Sequence, residues 1–366
     1  GSNIPRLNYP MIDGVVSGCP SLLLEPQSTN LITYSEDFSE DYWSKSRANI
    51  TTNQAISPNG TLTADLLTIT DTPENYIQTN IALTVSGTKQ TVSFFVKKGT
   101  NDFAHLLLWD TGSNGSRQWF DLENGTIGSS TTFGSGISVD NASIENYSNG
   151  WYRCIVVFNC SLTTIRTRIS ASNGDGQTDG TIGKTIYIWG AQLEEGSYAT
   201  SYIPTSGATA TREAETLGKT GLSNYINSSE GVLYLEGSAL ANSLTSRNLT
   251  LRGSTGNFVK FIYSSSSNRV DFVTFSGGGV SCNITYILTD TTLNSKFALK
   301  WKNNDFALWV NGIEVGTDLS GNAPLGDITE LVFANEIGSF PLYGKCKEIR
   351  VYNEALTDAE LAALTS

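Results

Sequence analysis

The chain has 366 residues, enough for two or three domains that each bury a core, and 35 glycines with only 16% charged residues describe strands and turns rather than helices. Its net charge of −12 disfavours nucleic acid and anionic membrane as partners, because such binding draws on Lys and Arg to neutralise phosphates. No run of 18 apolar residues is present to cross a bilayer as a helix.

Residues 1–29 contain Pro5, Pro10, Pro20 and Pro26 and lack sustained alternation. They predict an extended N-terminal arm docked on a neighbour, the first domain or another subunit, rather than a domain of its own. The stretch 19–26 is too apolar to lie free.

Residues 30–212 alternate in the manner of strands at 91–96, 103–109, 151–158, 163–169 and 185–189. Turn signals separate them at Pro58-Asn59-Gly60, Glu123-Asn124-Gly125 and Asn173-Gly174-Asp175-Gly176. Many short strands with short gaps predict a two-sheet sandwich.

Residues 213–229, with Gly218, Gly221 and Asn227-Ser228-Ser229, read as a linker. A second domain, 230–366, follows. Within it Phe297, Leu299 and Trp301 share one strand face while Ala298, Lys300 and Lys302 take the other. Asn303-Asn304-Asp305 and Asn311-Gly312 supply tight turns. Thr357 and Glu360 have capping-box spacing ahead of a short C-terminal helix.

The five cysteines, Cys19, Cys154, Cys160, Cys282 and Cys346, are odd in number and show no CxxC spacing, against a disulfide framework or a zinc cluster. Cys154 and Cys160 fall in one strand and so lie ~20 Å apart, beyond the reach of a bridge. Buried free thiols are expected.

Five segments of the first domain, 30–39, 92–99, 120–126, 149–153 and 189–207, resemble in order and spacing the carbohydrate-binding-module-like jelly rolls of phage tail-fibre and virion-surface proteins, over residues 20–212. The runs 296–315 and 346–361 resemble laminin-G-like, concanavalin-type jelly rolls, over 230–366. Together the resemblances imply an all-β chain of two antiparallel β-sandwich (jelly-roll) domains in tandem. The function they imply is host attachment by a viral protein of the virion surface, a tail fibre, spike or head decoration, made in the host cytoplasm. Its partners would be a host-surface polysaccharide or glycan and other virion proteins, with no nucleic acid and no membrane insertion. A homo-oligomer is implied too, a trimer by analogy with phage fibres, and several copies would multiply shallow sites of low affinity.

Sugar recognition needs aromatic faces for stacking and polar side chains to read hydroxyls. Trp43, Trp151, Trp189 and Trp301 fall inside the fold motifs and are assigned to cores. Trp109 and Trp119 border the polar loop 110–117, so they are the glycan-binding candidates, with ordinary packing as the alternative. Asp110 and Arg117 complete the set, the arginine able to donate to an acidic sugar.

Jelly-roll modules of this kind often hold a structural Ca²⁺ between the opening loop and the final strand. By position Glu36, Asp37, Gln192 and Glu194 would supply its oxygen ligands, the alternative being solvated acidic side chains. No other cofactor is required.

The sequence predicts a protein without enzymatic activity. His105, the single histidine, has no defined nucleophile to form a triad with. Glu36 and Asp37 are adjacent and would point to opposite faces of a strand, unlike the paired acids of a glycoside hydrolase. Two alternatives stand beside glycan binding: a purely structural capsid or tail component making protein contacts, and a glycan-cleaving enzyme or its targeting domain.

Overall fold

The computed structural model describes the chain apart from residues 1–5, 10, 13–14, 17, 80–82, 86–88, 111, 243–244, 254–255 and 327, and describes the backbone alone at 11–12 and 83–84. The described residues form antiparallel strands and one helix, Asp358–Thr365, an all-β fold as the composition predicts. The chain divides into two compact units, residues 11–17 with 27–213, and residues 1–10 and 18–26 with 214–366.

The unit holding residues 27–213 is a sandwich of two sheets. One runs in the order Ile137–Tyr147, Trp151–Cys160, Lys89–Lys98, Thr185–Glu195, Leu62–Ile69, Ala48–Ile56. The other runs Thr126–Phe133, Gly115–Asp121, Phe103–Trp109, Thr164–Ser172, Tyr76–Thr79, Trp43–Ser46. Strand alternation fills the space between them: Val92, Phe94 and Val96 from the first sheet meet Leu106, Leu108 and Ile169 from the second. Trp43 is buried in this core as well.

The outer face of the first sheet carries Phe95, Trp151 and Trp189, and the chain's own return segment covers it. Tyr202 packs against Phe95 and Trp189, with ring centres 6.0 and 4.7 Å away, while Arg153 donates to the Thr200 carbonyl at 2.7 Å.

The unit holding residues 214–366 is a second sandwich. Its larger sheet runs Leu7–Asn8, Ser21–Leu24, Gly344–Tyr352, Glu230–Ala239, Ser295–Lys302, Phe306–Val310, Ile313–Asp318. Its partner runs Gly218–Lys219, Glu330–Val332, Arg247–Arg252, Phe258–Tyr263, Arg269–Ser276, Gly279–Ile287. Phe297, Leu299 and Trp301 turn into the core, and Ala298 faces the C-terminal helix side with Leu361. Asn311 and Gly312, with φ of 48° and 83°, make the left-handed turn that the Asn-Gly pair favours. The Thr357–Glu360 capping box is formed in both directions.

The arm is divided: Leu7–Asn8 and Ser21–Leu24 are the outer strands of this second sandwich's larger sheet, while residues 15–16 and 27–29 group with the first unit. Leu22, Leu23 and Leu24 pair with Cys346, Lys345 and Gly344, and Leu24 enters the core. Arg6 binds Glu25 at 2.5 Å and also Glu215. The stretch 213–229 likewise contributes structure: Gly218–Lys219 pairs with Leu331 and Val332, and Ile226 is buried in the core. Cys154, Cys160, Cys282 and Cys346 are buried free thiols, whereas Cys19 is exposed, since the chain bends at Gly18 before Ser21 joins the sheet edge.

Candidate functional site

The side of the second sheet turned away from the core of the first sandwich carries an unusual face. In Phe103–Trp109, Ala104, Leu106 and Leu108 point into the core, which turns His105, Leu107 and Trp109 outward. In Thr164–Ser172, Ile165, Ile169 and Ala171 point inward, which turns Arg166, Arg168 and Ser170 outward. Cross-strand register then sets Leu107 between Arg117 and Arg168, His105 between Trp119 and Ser170, and Trp109 beside Arg166.

Glu74 reaches this face from the turn before Tyr76. Its carboxylate receives Arg117 at 2.9 Å on one oxygen and Arg168 at 3.2 Å on the other. The Arg168 guanidinium stands 3.5 Å from the Tyr76 ring centre and 4.9 Å from that of Trp109, and it also donates to Gln78 at 3.0 Å. Arg117 lies over the Phe133 ring at 5.3 Å. The result is two guanidiniums, one buried and one part-buried, among aromatic rings on the side of the sheet turned away from the core.

Beneath them His105 is fully buried, its ring 5.2 Å from that of Trp119. Burial first, then the positive charges of Arg117 and Arg168, push its pKa down to about 3, so the imidazole is neutral near pH 7. Three arginines therefore share the face with one carboxylate, a local positive excess on a chain of net charge −12. Many polar atoms there have no hydrogen-bond partner among the described residues: both His105 nitrogens, Trp109 Nε1, Ser170 Oγ, and the Nε atoms of Arg117, Arg166 and Arg168.

The structure brings Trp109 and Arg117 together on this face. Asp110 sits at its end, where its carboxylate closes its own loop by accepting from Gly112 N at 2.8 Å, Asn114 N at 3.1 Å and Asn114 Nδ2 at 2.5 Å. Those bonds, the Asn114 side chain foremost, hold its pKa down. Trp119 is corrected: it is 1% exposed and its indole donates to the Gln177 carbonyl at 2.5 Å, so it floors the site and offers no stacking face. Glu74, Tyr76, Gln78, Arg166 and Arg168 were not legible as site residues. The one signal for two of them was Arg166 and Arg168 alternating with Ile165 and Ile169, a pattern that equally describes an ordinary solvated strand face.

The four residues expected around calcium serve other bonds. Glu194, fully buried, accepts from Ser28 Oγ at 2.5 Å, Gln192 Nε2 at 2.6 Å, Thr200 N at 2.9 Å and Thr200 Oγ1 at 2.6 Å. Gln192 turns its carbonyl to Ile203 N. Glu36 accepts from the Tyr202 hydroxyl at 3.1 Å, and Asp37 caps Ser39. Among the described residues no three His, Cys, Asp or Glu side chains meet in a metal-holding group. Four hydrogen-bond donors thus converge on the Glu194 carboxylate.

A separate open depression of ≈ 390 Å³ is lined by small residues, including Thr132, Gly134, Ser135 and Ser161, with no charged or aromatic side chain to orient a ligand.

No family model matches this sequence, and no curated protein matches it. Among solved structures, a carbohydrate-binding domain (CBM40) of the Ruminococcus gnavus IT-sialidase, bound to α2,3-sialyllactose, is 16% identical with a TM-score of 0.34, covering 41% of this chain and 98% of that one. A leech intramolecular trans-sialidase complexed with 2,7-anhydro-Neu5Ac is 18% identical with a TM-score of 0.34, covering 42% of this chain and 26% of that one. Domains LG4-5 of the mouse laminin α1 chain are 10% identical with a TM-score of 0.27, covering 96% of each chain. Nothing about the site follows from these likenesses.

Proposed function

We propose that this is a carbohydrate-binding protein without enzymatic activity, and that the sugar lies on the Trp109–Arg117–Arg168 face. The observation that carries this reading is the combination on that face of part-buried aromatic rings, Trp109 and Tyr76, with hydrogen-bond donors that have no partner among the described residues. Sugars offer the complement, apolar ring faces and dense hydroxyls. Catalysis has less support: the one histidine is buried and neutral, and the one carboxylate reaching the face is held by two arginines.

The setting we propose is attachment at a virion surface, which rests on the five resembling segments of the first sandwich. Several copies on one particle would turn weak single sites into firm adsorption.

A glycan array probed with the purified protein and with Trp109→Ala tests the reading. Selective binding that the variant loses supports it. An array on which the folded wild-type protein binds no saccharide overturns it and favours the structural role.

A further inference from the structure

On the same face, Glu74 occupies both arginines from within the chain. Its carboxylate bridges Arg117 and Arg168, and for the Arg117 guanidinium it is the one hydrogen-bond partner among the described residues. Arg168 is clamped between Tyr76 and Trp109 and tied to Gln78, and Arg117 rests on Phe133. Arg168 is 7% exposed at its side chain and Arg117 19%, whereas Glu74, whose backbone is held by an isolated bridge to Asp179, is 24% exposed. Of the three side chains the carboxylate is the most exposed and Arg168 the most firmly held.

The charge balance points the same way. Arg166 shares the face, and no carboxylate among the described residues pairs with it. An incoming anion would find a surplus of positive charge even while Glu74 is in place, and a carboxylate fits the planar guanidinium fork better than a hydroxyl does.

We infer that Glu74 is an internal stand-in for the ligand's own acidic group, and that the site takes a carboxylate-bearing saccharide which displaces the Glu74 side chain from Arg117 and Arg168. The inference rests on the glycan-binding reading and narrows it. A neutral sugar has nothing to offer the arginine pair in exchange for Glu74, so it competes poorly. An acidic sugar replaces one charge-assisted pair with another and adds ring stacking, and the cost of moving Glu74 into water sets its affinity.

The experiment is calorimetric titration of the full chain, wild type and Glu74→Gln, with two matched pairs of probes: trigalacturonate against its methyl ester, and sialyllactose against lactose. At least one acidic member is expected to bind where its neutral partner does not, with affinity that falls as salt rises. Glu74→Gln is expected to bind that acid on the order of fivefold tighter, the equivalent of one partly exposed ion pair released. If Glu74→Gln does not fold, Glu74→Ala, which also removes the charge, gives the same comparison.

Equal binding of acid and neutral partner overturns the inference and leaves the glycan-binding reading standing. So does weaker binding of the acid by folded Glu74→Gln, which would make Glu74 a direct acceptor for the sugar. Silence from every probe with both folded proteins overturns the inference, and the glycan array then decides the glycan-binding reading.

Discussion

The guanidinium of Arg168 stacks 3.5 Å from the centre of the Tyr76 ring. Tyr76 belongs to the four-residue strand Tyr76–Thr79, which pairs with Thr164–Ser172 only at Gln78 and Ile77. A short strand thus holds one wall of the site. Tyr76→Ala should cost about 1–2 kcal/mol of stability through the lost cation–π contact and area, while Tyr76→Phe, which keeps the ring, should cost under about 0.5 kcal/mol. Urea unfolding of both variants checks this; equal losses would show that the ring face does not hold Arg168.

Trp109 and Trp119 should separate cleanly. Trp119 is sealed beneath the face, so Trp119→Ala is expected to lose about 3–5 kcal/mol of stability. Trp109 is only partly buried, and Trp109→Ala should lose about 1–2 kcal/mol while abolishing saccharide binding. Thermal melts alongside the array distinguish them, and a larger loss of stability at Trp109 would refute the assignment of floor and rim.

Two buried groups should give the fold opposing responses to acid. His105 titrates at about 3 when folded, against 6.5 as the ordinary value, so the unfolded chain takes up that proton first and stability falls as pH drops from 6.5 toward 3. Asp65 is buried beneath a bulge, accepting from Phe38 N and Asn53 N, and burial pushes its pKa from 3.8 up to about 6. Here the folded chain takes up the proton first, so this group adds stability as pH falls from about 6 to about 4. Asp65→Asn removes the second response and leaves the first. Its stability should decline more steeply than wild type between pH 6 and 4, and parallel profiles across that window would contradict the argument.

Glu194 should be a structural carboxylate. Four donors converge on it, so Glu194→Gln, which turns an amide toward them, is expected to cost about 2–4 kcal/mol. The melting temperature of the wild type should agree within about 1 °C in EDTA and in excess calcium. A rise of several degrees with calcium would show that a cation enters this network.

Leu24 should report on the arm. Its side chain is in the core of the second sandwich, so Leu24→Ala is expected to lose about 2–4 kcal/mol. Because the arm docks on its own chain, the melting temperature should not depend on protein concentration; a clear dependence would mean the arm is exchanged between copies.

Much of the architecture is local enough to be read from the sequence. Asn311-Gly312 fixes a left-handed turn, Thr357 and Glu360 cap the only helix among the described residues, and Phe297, Leu299 and Trp301 alternate into one core. Trp109 and Arg117 stand out in the sequence because a polar loop joins their strands, and the register sets both on one side of the sheet.

What only the tertiary structure decided is partnership across distance. Residues 74, 117 and 168 lie on three separate segments, and no spacing relates them; the register of Phe103–Trp109 between its two neighbours brings the arginines to either side of Leu107. The same holds for Trp119, whose burial depends on the Gln177 carbonyl closing over it, and for the arm, whose leucines follow an unpaired sheet edge rather than any signal of their own. Side-chain period assigns a residue to a face, but which face is covered, and by what, is settled by chain segments far away in sequence.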